Sequence, residues 1–331
     1  MEQSATKVVG TVTAIARGAN LAQKPSDRDP IHIRGIMEQT GIKGRIRDWW
    51  ANAPMTYAER HGDVEYTRPD GTKEKVALGS RRFYEVADER FYSWNTQLHL
   101  PDQPFGRIFP YDRYRVKSVL EVGCGMGCMA MNWVKNGANI TAVDLNPVAI
   151  QQTRQRFELF GLKGAINEAD GELLPFEDAK FDYVYSWGVL HHSPNTRKSI
   201  AELFRVLRPG GQAGVMLYHR NSILFDYTVR WVEGFINMEN VFLDETELAS
   251  RYGDGGREEG NPHTWPVTEA EVRSELFAQY QDVNIAVLGA DVPPILNTWR
   301  PNFASRMDQA KLDALASRKG WSLWITGDKP S

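Results

Sequence analysis

A glycine-rich segment near the middle of the chain constrains the fold more than any other feature of the sequence. The largely apolar residues 119–122 predict a buried strand, and Gly123, Gly125 and Gly127 follow before an amphipathic stretch that begins near Cys128. Glycine lets the backbone turn sharply and lets a ligand approach bare amides at the N-terminus of a helix, where the dipole favours an anionic group. The segment therefore predicts a strand, a tight ligand-binding turn and a helix.

A second predicted strand, residues 140–145, carries an acidic side chain at its end. Asp144 lies 21 residues after Gly123. A carboxylate at the tip of the strand beside a glycine-rich turn can accept hydrogen bonds from both hydroxyls of a ribose. The two features together predict a nucleoside cofactor bound at the edge of a parallel sheet.

Spacing and charge narrow the identity of that nucleoside. The glycines follow the pattern G-x-G-x-G, and Glu121 stands two residues before the first of them. A carboxylate at this position repels the pyrophosphate of NAD. S-adenosylmethionine has no phosphate, and it carries an ammonium and a sulfonium group that a carboxylate attracts. The pattern favours S-adenosylmethionine and keeps NAD as the alternative.

The segments that follow occur in the order of a known enzyme family. The sequence DGELLPF at 170–176 follows a third strand, FDYVYSWGVLHH at 181–192 follows as a fourth, and LRPGG at 207–211 introduces a fifth. As an ordered set between residues 115 and 220, these motifs closely resemble the class I S-adenosylmethionine-dependent methyltransferases, in particular their small-molecule, type 11-like branch. The resemblance implies a Rossmann-like, doubly wound α/β fold with a mostly parallel seven-stranded sheet, whose last strand is antiparallel.

The resemblance also implies roles for individual residues. Asp144 would hold the ribose, Asp170 the adenine amino group, and Glu121 would lie near the methionine amino group. Ser186 and Trp187, at the end of the fourth strand, would lie beside the methionine portion and the transferable methyl group. The expected cofactor-binding residues are Glu121, Gly123, Cys124, Gly125, Asp144, Leu145, Asp170, Gly171, Ser186 and Trp187.

Two adjacent histidines, His191 and His192, are the candidate catalytic residues. An imidazole near neutral pH can accept a proton from an acceptor hydroxyl or amine. Methyl transfer is an in-line displacement at a sulfonium, and much of its rate can come from holding the nucleophile on the axis of the breaking bond. A base role is therefore one interpretation of the two histidines; the other is that they orient the backbone or close the cofactor pocket.

The expected acceptor pocket draws on two regions outside these motifs. Residues 1–110 are predicted to form an N-terminal extension and partial substrate cap, rich in aromatic side chains between 47 and 110. Residues 111–331 are predicted to form the methyltransferase domain, with 219–267 inserted after strand five as a lid. A lid at the carboxyl ends of the strands opens for the substrate and then excludes water. The residues expected to contact the acceptor are Tyr84, Tyr92, His219 and His263.

Composition excludes several classes of partner. The 39 basic and 42 acidic residues are nearly balanced, which disfavours a nucleic-acid substrate held through its phosphates. The two cysteines, Cys124 and Cys128, have no second Cys or His pair at metal-ligand spacing, so they are interpreted as packing residues rather than as a metal site. Their number also fits a cytoplasmic protein without disulfides. Residues 8–16 are too short an apolar run to span a membrane.

The sequence therefore predicts a cytoplasmic enzyme that transfers the methyl group of S-adenosylmethionine to a small-molecule acceptor. Two alternatives stay open: an NAD-dependent oxidoreductase, and a non-catalytic partner protein that binds S-adenosylmethionine. No membrane or nucleic-acid partner is expected, and a homodimer is left open.

Overall fold

The computed structural model describes residues 41–52, 64–67, 71–253 and 260–331. Short 3-10 turns connect several of the longer elements. In chain order, these elements are α1 (Ile42–Asn52), β1 (Val64–Thr67), β2 (Lys73–Val76), α2 (Arg81–Ser93), β3 (Ser118–Val122), α3 (Cys128–Lys135), β4 (Asn139–Asp144), α4 (Pro147–Leu159), β5 (Ala165–Glu168), β6 (Phe181–Trp187), α5 (Thr196–Val206), β7 (Leu207–Tyr218), a π-helix (Leu224–Ile236), α6 (Glu245–Tyr252), α7 (Glu269–Glu271), a π-helical turn (Val272–Leu276), β8 (Gln281–Leu288), α8 (Val292–Trp299), α9 (Gln309–Lys319) and β9 (Ser322–Asp328).

A seven-stranded sheet organises the chain from β3 onward. Its strands lie in the order β5-β4-β3-β6-β7-β9-β8. Strands β3 to β7 pair in parallel, whereas β9 is antiparallel to both β7 and β8. This arrangement confirms the predicted Rossmann-like, mostly parallel α/β fold. Because the order reverses between β3 and β6, the carboxyl ends of these neighbouring strands open a crevice, which is where such sheets bind ligands.

Both faces of the sheet are covered, as parallel pairing requires. Along β6 the side chains alternate: Tyr183 and Tyr185 face the layer that contains Trp133 of α3. Val184 faces the opposite layer, against Leu203 of α5. All five side chains are fully buried, and each contributes about 1.5–3 kcal/mol or more through removal of apolar surface from water. The sheet is therefore a rigid base for the residues at its edge.

Helix starts follow the capping residues that the sequence contains. The Asn146 side chain accepts a hydrogen bond from the Val148 amide, and Pro147 is the first residue of α4. Thr268 and Glu271 form a capping box at α7.

Two boundaries differ from the sequence-based expectation. The four-residue spacing of Val272, Leu276 and Tyr280 predicts one helix that reaches Tyr280, but the helix that begins at Glu269 ends at Leu276, and the Tyr280 ring is buried on the following turn. Strand β7 begins at Leu207, directly after α5, and already includes the proline and glycines expected to precede it. The register between β6 and β7 shifts at this point, and Gly210 has a φ of 73°, which indicates a bulge that accommodates the extra residues.

The N-terminal part of the described chain packs on the outside of the sheet domain. Strands β1 and β2 pair as an antiparallel hairpin that leads to α2. The Ser80 hydroxyl caps α2 by accepting a hydrogen bond from the Phe83 amide at 3.1 Å. Helix α2 then packs against α4, where Tyr84 is fully buried. In the described ranges, no helix combines the length and apolarity needed to cross a bilayer.

Candidate functional site

A cavity of about 190 Å³ lies at the carboxyl ends of β3, β4 and β6. One wall consists of the segments at the ends of these strands together with the segment after β5, and we call it the floor: 121–128, 144–146, 169–172 and 187–190. The opposite wall comes from helices α1 and α2, and we call these two helices the cap. The cavity therefore lies between the sheet domain and the N-terminal part of the described chain.

The glycine turn in the floor depends on backbone conformations that other residues avoid. Gly123, Gly125 and Gly127 have φ angles of 85°, 53° and 75°. A Cβ atom on Gly123 would lie 2.3 Å from the side chain of Val189, so a larger residue cannot fit. A Cβ on Gly125 would meet no atom within 4 Å, because this part of the turn faces open space. The turn thus presents bare backbone to a ligand.

Asp144 holds this turn in place. Its Oδ2 atom accepts a hydrogen bond from the Gly125 amide, and its Oδ1 atom accepts one from the Asn146 amide, each at 2.9 Å. Burial raises the pKa of Asp144, while these amide hydrogen bonds oppose the rise. Each carboxylate oxygen has a second lone pair, so the side chain can still accept hydrogen bonds from a ribose in the cavity.

Glu121 is the least satisfied polar side chain of the floor. It is 3% exposed and lines the cavity, and its Oε2 atom has no hydrogen-bond partner among the described residues. Burial, with the nearby Asp144 carboxylate adding to it, raises the pKa of Glu121 to about 8. A buried carboxyl group with one unpartnered oxygen at a cavity wall can accept a hydrogen bond from a cationic or hydrogen-donating group.

Asp170 and Glu172 form an acidic pair at another part of the cavity wall. The Lys43 ammonium lies 2.6 Å from Oδ2 of Asp170 and 2.6 Å from Oε2 of Glu172. Burial lowers the pKa of Lys43, but its hydrogen bonds to the two carboxylates outweigh this and raise it. Asp170 also accepts the Glu172 amide at 2.9 Å through Oδ1. Asp170 is thus positioned at the cavity but already bonded by α1.

The other predicted cofactor-binding residues separate into two groups. Cys124, Leu145, Gly171 and Trp187 line the cavity. Ser186 does not: it is fully buried, and its hydroxyl donates to the Val122 carbonyl at 2.7 Å, which joins β6 to β3. The structure therefore does not bring the Ser186 side chain to the cavity, because alternation along the strand turns consecutive side chains to opposite faces.

The two histidines differ in the same way. His192 lines the cavity, and its Nδ1 lies 2.9 Å from the His263 carbonyl oxygen. Because a carbonyl only accepts, Nδ1 carries the hydrogen, and Nε2 of the neutral ring holds the lone pair. His191 is fully buried away from the cavity, stacked 3.7 Å from the ring of Tyr218. Burial, with His192 adding to it, lowers the pKa of His191 well below its usual value. The His191 ring does not line the cavity, so its catalytic role stays a prediction that the geometry does not support.

The aromatic residues predicted to contact the acceptor do not line the cavity. The Tyr84 hydroxyl bonds Gln152, and burial raises the pKa of Tyr84 to about 12. The Tyr92 hydroxyl accepts a hydrogen bond from the Asn132 amide at 2.9 Å. Both tyrosines attach α2 to the sheet domain, so the structure does not bring them to the cavity wall, and their contact with the acceptor stays a prediction. The residues of α2 that face the cavity are Ala87, Asp88 and Phe91.

The insertion at 219–267 also differs from the expectation. His219 is 2% exposed, and its Nδ1 lies 3.0 Å from the Gly320 carbonyl oxygen. His263 meets the site only through its backbone carbonyl, which bonds His192. Residues 219–253 and 260–267 contribute no side chain to the cavity wall. The structure therefore does not bring the side chains of His219 and His263 to the cavity, and their acceptor contacts stay predictions; part of the insertion, residues 254–259, lies outside the described residues.

Sequence reasoning missed the part of the cap that α1 supplies. Four of its residues line the cavity, and they recur at helical spacing: Lys43, Ile46, Arg47 and Trp50. The Trp50 ring lies 5.2 Å from the His192 ring. An i, i+3, i+4, i+7 stripe is the signal that marks one face of a helix, and it was present in the sequence. The stripe identifies one face of the helix, but it does not identify the part of the protein against which that face packs.

The chemistry of the wall fits a positively charged nucleoside without phosphate. Five carboxyl groups line the cavity, against two cationic side chains, Lys43 and Arg47. Lys43 is already paired with two of the acids. A pyrophosphate would be repelled here, whereas ammonium and sulfonium groups would be attracted. The carboxyl groups are those of Asp88, Glu121, Asp144, Asp170 and Glu172.

Known proteins share this part of the chain. Residues 120–215 match the family model described as Methyltransferase domain. The chain is 29% identical over 170 residues to the sterol 24-C-methyltransferase ERG6B of Gibberella zeae, which covers 46% of this chain and 44% of the relative. It is 31% identical over 211 residues to the sterol 24-C-methyltransferase erg6 of Schizosaccharomyces pombe, covering 59% and 54%. It is 41% identical over 97 residues to the phthiotriol/phenolphthiotriol dimycocerosates methyltransferase of Mycobacterium tuberculosis, covering 29% and 35%.

These matches concern the sheet domain rather than the whole molecule. The chain spans about half the length, or less, of the relatives it matches. The matched residues nevertheless include the glycine turn, Asp144, Asp170 and the two histidines. The chain therefore contains a class I methyltransferase domain whose cofactor is S-adenosylmethionine.

Proposed function

We propose that the protein transfers a methyl group from S-adenosylmethionine to an apolar small-molecule acceptor. One observation carries the proposal: the glycine turn, the Asp144 carboxylate and the Glu121 carboxyl group, whose Oε2 atom has no partner among the described residues, face the same cavity. When bound, the cofactor supplies an electrophilic methyl group on a sulfonium. The residues of the chain then have to bind it, orient the acceptor and exclude water.

Binding is assigned to the floor. Asp144 would accept hydrogen bonds from the ribose hydroxyls through its remaining lone pairs, and Asp170 would accept from the adenine amino group. Glu121 would receive the methionine ammonium, which removes the cost of leaving its buried oxygen unpartnered. Gly125 leaves room for the ligand beside the backbone. These roles follow from the chemistry of the wall and from the family resemblance.

Orientation and exclusion of water are assigned to aromatic side chains. Trp187 from the floor and Trp50 and Phe91 from the cap line the cavity. Such a wall favours a flat or apolar acceptor, which agrees with the sterol and phenolic lipid acceptors in the names of the relatives. His192, with its lone pair on Nε2, is the candidate proton acceptor when the acceptor atom carries a hydrogen. Residues 41–52 and 81–93 are the proposed substrate cap.

A methyl-transfer assay tests the proposal. The protein is incubated with S-adenosylmethionine and, separately, with sterols, phenolic lipids and a polar amine, and S-adenosylhomocysteine is measured by mass spectrometry. We expect product with an apolar acceptor and none with Asp144→Ala. If the wild type binds the cofactor but forms no product with any acceptor, the non-catalytic binding protein becomes the better account.

Two further properties stay proposals. The cytoplasmic location and the absence of a nucleic-acid substrate are supported by the cysteine content and the balanced charge. The NAD-dependent alternative is disfavoured because five carboxyl groups line the cavity that a pyrophosphate would have to share.

A further inference from the structure

Helix α1 covers the cavity with one face. Lys43, Ile46, Arg47 and Trp50 all line it, although the helix lies outside the segment that matches the methyltransferase family. Ile46 is 7% exposed, so the helix buries an apolar residue toward the cavity. A ligand that fills the cavity would therefore contact α1 along most of its length.

Lys43 joins one end of this helix to the floor. Its ammonium lies 2.6 Å from Asp170 and 2.6 Å from Glu172, residues that are 127 and 129 positions away in the chain. Glu172, one of the two partners of Lys43 in the floor, is held in place by further hydrogen bonds. Glu172 has a 7% exposed side chain, accepts the Ser193 hydroxyl at 2.6 Å and accepts the Asn195 amide at 3.0 Å.

The opposite end of the helix meets the acceptor side of the cavity. The Trp50 ring lies 5.2 Å from the His192 ring, at an interplanar angle of 58°. Lys43 and Trp50 are seven residues apart, which places them two turns apart on the same face. The contacts of Lys43 thus hold in place the helix that also carries the aromatic cover of the acceptor side.

We propose that Lys43 is a positioning residue for the cofactor site, and that its contacts with Asp170 and Glu172 are a latch that holds α1 closed over the cavity. The inference rests on the proposed function. Because α1 forms one wall, a ligand as large as the cofactor enters and leaves when α1 moves away, and this movement breaks the latch. Asp170 belongs both to the latch and to the adenine site, so the two sites share one carboxylate.

Hydrogen exchange on the protein without ligand tests the latch itself. Lys43→Met removes the ammonium and keeps the apolar stem, and we expect faster exchange of the α1 amides than in the wild type. Arg45→Met is the matched control, because Arg45 is an exposed cation on the same helix that does not line the cavity. Lys43→Arg retains the charge and should retain most of the protection. Equal α1 exchange in wild type and Lys43→Met would overturn the latch.

Stopped-flow dissociation of S-adenosylhomocysteine tests the effect of the latch on cofactor binding. We expect Lys43→Met to raise the dissociation rate about 3- to 10-fold, the range for a pair of partly exposed ionic contacts. Added salt should speed dissociation from the wild type and from Arg45→Met but have little effect on Lys43→Met. An unchanged dissociation rate with faster α1 exchange would overturn the role in the cofactor site. If the wild type does not bind S-adenosylhomocysteine, the proposed function fails, while the exchange result on the latch still stands.

Discussion

The floor and the cap of the cavity are built by different kinds of interaction. In the floor, three positive-φ glycines and the ends of parallel strands fix the turn, and Asp144 bonds two backbone amides of the same region. In the cap, long side chains carry the attachment: Lys43 bonds Asp170 and Glu172. The floor therefore follows from backbone conformation, whereas the cap depends on individual charged pairs.

A second charged pair attaches the cap deeper in the molecule. Arg156 of α4 is fully buried and donates to Asp88 of α2 at 2.6 Å, with the Tyr84 ring stacked 4.7 Å from its guanidinium. Its other two nitrogens, Nε and Nη1, have no hydrogen-bond partner within the described ranges. Desolvation lowers the pKa of Arg156, but the Asp88 carboxylate outweighs this and raises it. We therefore expect changes in the cap to affect the stability of the protein and the entry of ligands into the cavity. Changes in the floor should affect cofactor affinity.

The largest effect is expected from breaking the buried pair. Asp88→Ala leaves the Arg156 guanidinium buried without its carboxylate, which should lower the free energy of unfolding by about 3–5 kcal/mol. Urea denaturation measures the change. Glu89→Ala, which removes an exposed acid one position along α2, is the control and should cost less than about 1 kcal/mol. A loss below 1 kcal/mol for Asp88→Ala would mean that the pair does not attach the cap.

A change in the floor should weaken the cofactor instead. We expect Asp144→Ala to reduce the affinity for S-adenosylhomocysteine by about 2–4 kcal/mol, because it removes hydrogen bonds to the ribose and the anchor of Gly125. Isothermal titration calorimetry measures this change. Glu168→Gln is a matched control, since Glu168 pairs with Asp144 across the strands but is exposed outside the cavity. Equal affinities for the wild type and Asp144→Ala would contradict the assignment.

The protonation of Glu121 predicts a pH dependence specific to the floor. Its pKa of about 8 means that the free protein holds a proton that binding of a cation expels. Affinity for S-adenosylmethionine should therefore rise with pH between 6 and 8, by at most about tenfold per unit. Glu121→Gln should flatten this rise and bind the cofactor more weakly above pH 8. Titrations at several pH values measure it, and an equal slope in both proteins would rule out Glu121 as the group responsible.

The same group affects stability in the opposite direction. Between pH 4.5 and 8 the folded protein holds a proton on Glu121 that the unfolded chain releases. The free energy of unfolding of the ligand-free protein should therefore fall as pH rises through this window. Glu121→Gln should remove that part of the decrease, and urea denaturation across the window checks it.

The smallest effect is expected from the aromatic cover of the cap. Trp50→Ala removes a ring that lines the cavity beside His192, and we expect the KM for an apolar acceptor to rise about 5- to 10-fold, with a smaller change in cofactor affinity. Trp94→Ala, an exposed tryptophan at the end of α2, is the control. A larger loss of cofactor affinity than of acceptor binding would mean that Trp50 contacts the cofactor rather than the acceptor.

Sequence alone predicts the floor well because local signals determine it. Short apolar runs give the strands and glycines give the turn, and the family that the ordered motifs resemble implies the sheet, including the antiparallel β9. The cap has no such local signal. Lys43 finds its partners more than 120 residues away, and no periodicity in α1 names them. The cap could be expected as an N-terminal cover, but its contact residues could not be identified.

Some residues within the motifs do not face the cavity as expected, and the cause is related. Ser186 and His191 stand beside residues that line the cavity, and a one-residue difference along a strand or a tight turn reverses the direction of a side chain. A motif locates a segment, whereas the backbone geometry selects which of two neighbours faces the ligand. Tyr84 and Tyr92 are similar: both lie on α2, which faces the cavity, but their hydroxyl groups bond residues of α4 and α3 instead.

Titration of the wild-type protein with two nucleosides shows which class of cofactor the floor binds. We propose that the floor binds a phosphate-free, positively charged nucleoside, because carboxyl groups surround the glycine turn. Calorimetry should therefore show that S-adenosylmethionine binds with one site per chain and that NADH produces no binding signal. Binding of NADH in the absence of any binding of S-adenosylmethionine would contradict the account and identify a dinucleotide site.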